Sequence, residues 1–165
     1  MKNKVYLSTV LILGLLLLSV TPGLAQGKIG FKTLPDSSTV VMSKLPFFET
    51  LGKVKQAISK ENLMILDDID GQAMIKMAGV NIPPIHQILF FHPRLMRELY
   101  EANKMATIVA PLKIIVMEKK GKTAIRFFKP SVLLRPYKGT QKVARQFDGI
   151  MNKIIVFVQQ QNIKK

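Results

Sequence analysis

Six apolar residues near the C-terminus recur at the spacing of one helix face: Val143, Phe147, Ile150, Met151, Ile154 and Val158. Thr140 precedes them as an N-cap candidate, and the pattern predicts a helix over residues 142–160. A helix with such a wide apolar stripe is stable only if the stripe is buried against another layer. The upstream segments are short and rich in β-branched residues, so the stripe predicts a helix packed on a sheet.

The upstream segments predict five strands and three further helices. Period-two or continuous apolar patterns favour strands at residues 39–45, 63–70, 85–91, 111–118 and 123–130. Helical spacing favours helices at residues 47–62, 72–78 and 93–104. If the two short inserted helices are set aside, the order is β-α-β-β-β-β-α. The sequence therefore predicts an α+β fold with an antiparallel sheet and a long C-terminal helix.

The N-terminus has the pattern of a secretory signal peptide. Two lysines precede about 16 mostly apolar residues, and Gly23 and Ala25 occupy the small-residue positions of a cleavage site. We interpret residues 1–25 as a signal peptide, residues 26–38 as a linker and residues 39–165 as a single domain. The expected location is periplasmic or extracellular. The alternative is an uncleaved N-terminal membrane anchor.

The charge balance and the absence of cysteine restrict the possible partners and chemistry. The chain has 25 Lys and Arg residues against 10 Asp and Glu residues. This excess is typical either of a solvated basic surface or of a protein that binds an acidic protein or an anionic membrane surface. Nucleic acid is not expected as a partner of an exported protein. With no cysteine in the sequence, c-type haem attachment, thiol redox chemistry and thiolate zinc sites are excluded.

No catalytic constellation is recognisable in the sequence, so we expect a non-catalytic binding or interaction module. Phosphate-binding loops, nucleophile elbows and paired-histidine helices are missing. Asp67, Asp68 and Asp70 are interpreted as a polar strand end with a helix cap. An enzyme would be favoured by a cleft that joins Asp68 or Asp70 to His92.

His92 has two interpretations. Pro93 is well placed as the first residue of a helix, which makes His92 its N-cap. Alternatively, His92 and Met96 are ligands of haem or copper, since thioethers suit Cu(I). His86 cannot share a small ion with His92, because six residues of strand separate them by roughly 20 Å. No cofactor is expected, and a haem or copper carrier is the alternative function.

Adjacent aromatic pairs on two predicted strands suggest a ligand pocket. The candidate lining residues are Phe90, Phe91, Phe127 and Phe128, with Phe147 and Met151 from the C-terminal helix. A sheet under a long apolar helix can enclose an apolar cavity. The space between the sheet and the helix is therefore a candidate site for a small apolar ligand, and the alternative is that side chains fill it.

Residues 39–134 resemble the exported "domain of unknown function 302" family. The resemblance is carried by FETLGKVKQAI, by ILDDID with QAMIKMAG, by QILFFHPRLM, and by APLKIIVMEKKGKTAIRFFKP. It implies a curved antiparallel sheet that grips a C-terminal helix, and it implies no catalytic residues. The family usually has a Gly-Asn-Pro turn where this chain has Phe91-His92-Pro93. Because Asn is a strong N-cap, this difference agrees with a capping role for His92.

Overall fold

The computed structural model describes residues 38–161. The predicted signal peptide and residues 26–37 of the predicted linker lie outside the described residues. Within them, five strands form one open antiparallel sheet in the order β1-β5-β4-β3-β2. The strands are β1 (Ser38–Ser43), β2 (Met64–Asp70), β3 (Ile85–Phe91), β4 (Leu112–Lys119) and β5 (Lys122–Phe128). The α+β fold predicted from the sequence is confirmed.

The helices follow the predicted order, with two additions. They are α1 (Phe47–Lys60), α2 (Gly71–Met77), α3 (Pro93–Ala102), a 3-10 helix (Lys104–Val109), α4 (Pro130–Leu134) and α5 (Gln141–Gln161). The sequence does not predict the 3-10 helix or α4, because helices of six and five residues are too short to show a period. No helix within residues 38–161 has both the length and the apolar character needed to cross a membrane.

The hydrophobic core lies between one face of the sheet and helices α1 and α5. We call this the inner face of the sheet. Its most deeply buried side chains include Ile88, Phe90, Ile114, Val116 and Ile125. From α5, the core receives Val143, Phe147, Met151, Ile154 and Val158, while Ile150 is only partly buried. The predicted apolar stripe is therefore the part of α5 that packs on the sheet.

Local capping explains where α2 and α3 begin. The Asp70 carboxylate accepts a hydrogen bond from the Ala73 N–H at 2.9 Å, and α2 ends before Gly79, which has a φ of +80°. Nδ1 of His92 accepts a hydrogen bond from the Arg94 N–H at 3.1 Å, with Pro93 at the first helical position. Both predicted caps, Asp70 and His92, are confirmed.

The His92 cap should contribute measurably to stability. We expect His92→Ala to lower the free energy of unfolding by about 0.5–2 kcal/mol, because the Arg94 N–H loses its acceptor. His92→Asn is the matched control and should preserve or slightly raise stability, since Asn is a stronger cap. Urea unfolding of the three proteins at one pH measures the difference. Equal losses for both variants would show that His92 stabilises the protein in some other way.

Candidate functional site

The sheet splits at one end, between the central strand β4 and its neighbour β5. Strands β4 and β5 pair from Lys119↔Lys122 to Ile115↔Arg126. Beyond that point β4 still pairs with β3, as far as Leu112↔Phe90, and β5 still pairs with β1, as far as Phe128↔Ser38. At this end of the sheet, β4 therefore stays paired with β3 and β5 stays paired with β1, while β4 and β5 separate from each other.

A cavity of about 350 Å³ lies at this split. It is lined by Val109, Pro111, Leu112, Lys113, Ile115, Arg126, Phe127, Phe128, Leu133 and Met151. These residues come from the end of the 3-10 helix, the separated parts of β4 and β5, α4 and α5. We call this cavity the split pocket.

The chemistry of the split pocket is apolar with two cationic groups. All its lining residues are apolar except Lys113 and Arg126. Nε of Arg126 donates a hydrogen bond to Oγ of Ser38 at 2.9 Å, which ties the guanidinium to the neighbouring strand β1. An apolar cavity with a few well-placed polar groups is the usual form of a small-molecule site. Cationic groups beside apolar walls suit a ligand with an apolar body and an anionic end.

Three of the six predicted pocket residues line the split pocket, namely Phe127, Phe128 and Met151. Phe90 and Phe147 are 0% and 2% exposed and belong to the core. Both rings are therefore part of the packed core and do not line the cavity. Phe91 is partly buried on β3 and is not among the lining residues.

A second cavity, of about 320 Å³, adjoins the split pocket. Phe127 and Met151 line both cavities. The second cavity is more polar, because Lys129, Asp148 and Asn152 also line it. The buried Met151 side chain is therefore a wall that the two cavities share.

The proposed metal ligands His92 and Met96 lie four residues apart at the start of α3. Since Nδ1 of His92 accepts the capping hydrogen bond, Nε2 is the ring nitrogen left for another partner. Within residues 38–161, no group of three or more His, Cys, Asp or Glu side chains has the geometry to hold a metal ion.

A polar cluster that the sequence did not predict joins α1 to β2 and β3. Nδ1 of His86 lies 2.8 Å from Oδ1 of Asp68, and its Nε2 lies 3.8 Å from Oδ2 of Asp70. Lys55 on α1 forms an ion pair with Oδ2 of Asp68. The ring centroid of Phe47 lies 5.7 Å from that of His86. Asp68 and Asp70 thus both lie beside the His86 ring. His86 is near the start of β3, whereas His92 follows the end of that strand.

A β-bulge places these carboxylates on the inner face. Ile65 lies opposite the buried Phe90, yet Asp68 lies opposite the buried Ile88, because the register shifts between Ile65 and Asp67. An extra residue in a strand reverses the faces of all residues that follow it. Sequence alternation alone does not reveal such a shift, so the pairing of Asp68 with His86 could not be predicted.

Two opposing effects act on the pKa of Asp68. The larger single effect is burial, which favours the neutral acid and raises the pKa. Hydrogen bonds from Lys55 and His86, together with their positive charges, act against burial and leave the pKa below its ordinary value. The carboxylate is therefore ionised in the folded protein, where it holds α1 against the sheet edge.

This shift makes part of the stability sensitive to acid. A lowered pKa in the folded state stabilises the fold fully above the unfolded pKa of about 3.9, and the contribution is lost as the pH falls through the lower folded value. We expect the stability difference between the wild type and Asp68→Asn to be largest above about pH 5 and to shrink below about pH 4. Urea unfolding of the wild type and of Asp68→Asn, repeated at pH values across this range, measures the difference in the free energy of unfolding.

Asp67→Asn is the matched control for this prediction, because the exposed Asp67 lies next to Asp68 but on the other side of the strand. It should change the acid sensitivity less than Asp68→Asn does. A stability difference for Asp68→Asn that stays constant or grows toward low pH would contradict the assignment.

Comparison with known proteins places this fold in a family. The model of the family described as "Domain of unknown function DUF302" matches residues 39–156, which extends the resemblance beyond Leu134 into α5. The crystal structure of an uncharacterized conserved DUF302 protein from Bacillus stearothermophilus is similar, with a TM-score of 0.70 and 15% identity over 75% of this chain and 99% of that chain. No curated protein matches the sequence. The chain belongs to the DUF302 family.

Proposed function

We propose that this protein is a non-catalytic binding module that takes a small apolar molecule with an anionic group into the split pocket. The observation that carries the proposal is the composition of the pocket wall. Its side chains are apolar except for Lys113 and Arg126. The apolar side chains suit the apolar body of a ligand, and the two cations suit its anionic group. The cavity volume lies in the lower part of the range typical of small-molecule sites.

The placement of titratable groups supports binding rather than catalysis. Asp68 forms ion pairs with Lys55 and His86 beside α1. None of these three residues lines the split pocket. The titratable side chains of the pocket wall are the two cations, which can hold an anion. General acid–base catalysis is most often performed by His, Asp or Glu, and none of these lines the split pocket.

We further propose that the protein acts outside the cytoplasm, after cleavage of residues 1–25. This rests on the charged, apolar and small-residue regions of the N-terminal sequence. The expected mature chain begins at Gln26. Mass spectrometry of the protein from the extracytoplasmic fraction tests this, and retention of residues 1–25 would assign the chain to an anchored form.

Binding of fatty carboxylates provides a direct test of the split pocket. Decanoate should bind, and each added methylene should raise the affinity about fourfold while the cavity has room, since a buried methylene contributes about 0.8 kcal/mol. Decanol, which lacks the charge, should bind up to about fivefold more weakly, as expected for a partly exposed ion pair. Isothermal titration calorimetry measures both series.

A bulky substitution in the wall distinguishes the split pocket from other apolar surfaces. Leu133→Trp should lower decanoate affinity at least tenfold, because the indole fills the cavity that Leu133 lines. Leu66→Trp is the matched control, since Leu66 is 52% exposed on β2, outside the pocket. Equal affinities for the two variants, or no binding of any carboxylate, would refute the proposal.

A further inference from the structure

The face of the sheet opposite α1 and α5 carries an excess of positive charge. We call it the outer face. Strand alternation and the register place on it four cationic side chains, Lys113, Lys119, Lys122 and Arg126, and one acidic side chain, Asp67. Lys113, Lys119 and Lys122 are exposed and form no ion pair in the described part of the chain. An anionic partner would therefore be attracted to this face.

Exposed apolar side chains accompany these cations. Val40 and Met42 on β1 are 55% and 51% exposed, and Phe128 on β5 is 43% exposed. At the opposite edge of the sheet, Met64 on β2 is 55% exposed. The solvated face of an antiparallel sheet is normally polar. Binding to a membrane surface, by contrast, draws on both buried apolar area and attraction between cations and anionic lipids.

The split pocket opens on the outer face. Two of its exposed lining residues, Lys113 and Phe128, belong to this face. Phe127 and Met151, which line it from the inner side, are buried. The cavity therefore passes between the separated ends of β4 and β5, with its mouth beside the cations and its far end toward the core.

We propose that the outer face docks the protein on an anionic lipid membrane, with the mouth of the split pocket turned toward the headgroups. Charge complementarity selects an anionic occupant and disfavours a second copy, which would bring the same cations against their equals. The mouth selects lipid, because an acidic protein offers carboxylates but no chain for the apolar cavity. That choice of lipid rests on the proposed function, whereas the basic surface does not.

Docking in this orientation gives the pocket a source of ligand. A single-chain anionic amphiphile can pass from the bilayer into the cavity without crossing water. Its anionic group stays near Lys113 and Arg126 at the mouth, and its chain extends toward Met151. The ligand class of the split pocket is then an anionic lipid with one acyl chain.

Vesicle flotation tests the docking. The protein as the cell produces it should bind vesicles of equal parts phosphatidylcholine and phosphatidylglycerol, and bind pure phosphatidylcholine roughly tenfold more weakly or less. Lys119→Gln/Lys122→Gln should lower affinity for the anionic vesicles about 30-fold, since each cation at such a surface contributes about 1 kcal/mol. The matched control, Lys142→Gln/Arg145→Gln, removes the same charge from the exposed side of α5. It should lower affinity about threefold at most, because salt screens distant charges.

A fluorescent label shows which face meets the lipid. The sequence contains no cysteine, so a single introduced thiol can be labelled with an environment-sensitive fluorophore. The label on Val40→Cys, at an exposed position of the outer face, should shift to the blue when anionic vesicles are added. The label on Ser59→Cys, exposed on α1, should not shift.

The docking and the pocket can fail separately. Leu133→Trp, which fills the cavity, should keep its affinity for anionic vesicles while it loses decanoate. Vesicle binding by a wild type that takes no decanoate would support the docking and refute the proposed function alone. Decanoate binding without vesicle binding would refute the docking alone.

Three further results would overturn the docking proposal. Equal binding to both kinds of vesicle would assign the attachment to an apolar segment rather than to the basic face. Equal losses for the two double variants would show that only the net charge of the chain matters. Binding of polyglutamate without binding of anionic vesicles would assign the outer face to an acidic protein.

Discussion

The burial of the α5 stripe against the inner face of the sheet is the contact on which the rest of the structure depends. Phe147, Ile154 and Val158 are almost fully buried there, in the same core cluster as the strand residues Phe90 and Ile125. Each such side chain contributes about 1.5–3 kcal/mol relative to exposure. Since α1 packs beside α5, the two helices complete one layer, and the sheet is the other.

The split pocket is a consequence of the same packing. Met151 belongs to the buried stripe of α5 and also forms part of the cavity wall. Opposite it, β4 and β5 separate beyond Ile115↔Arg126 and leave room that the core residues do not fill. The position of the cavity is therefore set by where the pairing of β4 with β5 ends.

Features with a local cause could be predicted from the sequence. The stripe from Val143 to Val158 follows from helical spacing, and the caps at Asp70 and His92 follow from a few adjacent residues. Features that depend on register could not be predicted. The meeting of Asp68 with His86 requires the bulge after Ile65, and the pocket requires the early end of β4–β5 pairing, neither of which leaves a local pattern.

The most direct test of the account is to map where decanoate binds. Titration followed by amide and methyl NMR should shift signals from residues 109–115, from Arg126 to Phe128, from Leu133 and from the Met151 methyl group, which surround the split pocket. Signals from α2, residues 71–77, should stay unchanged, because that helix lies outside the cavity wall. Shifts centred on α2, or none at saturating decanoate, would contradict the account.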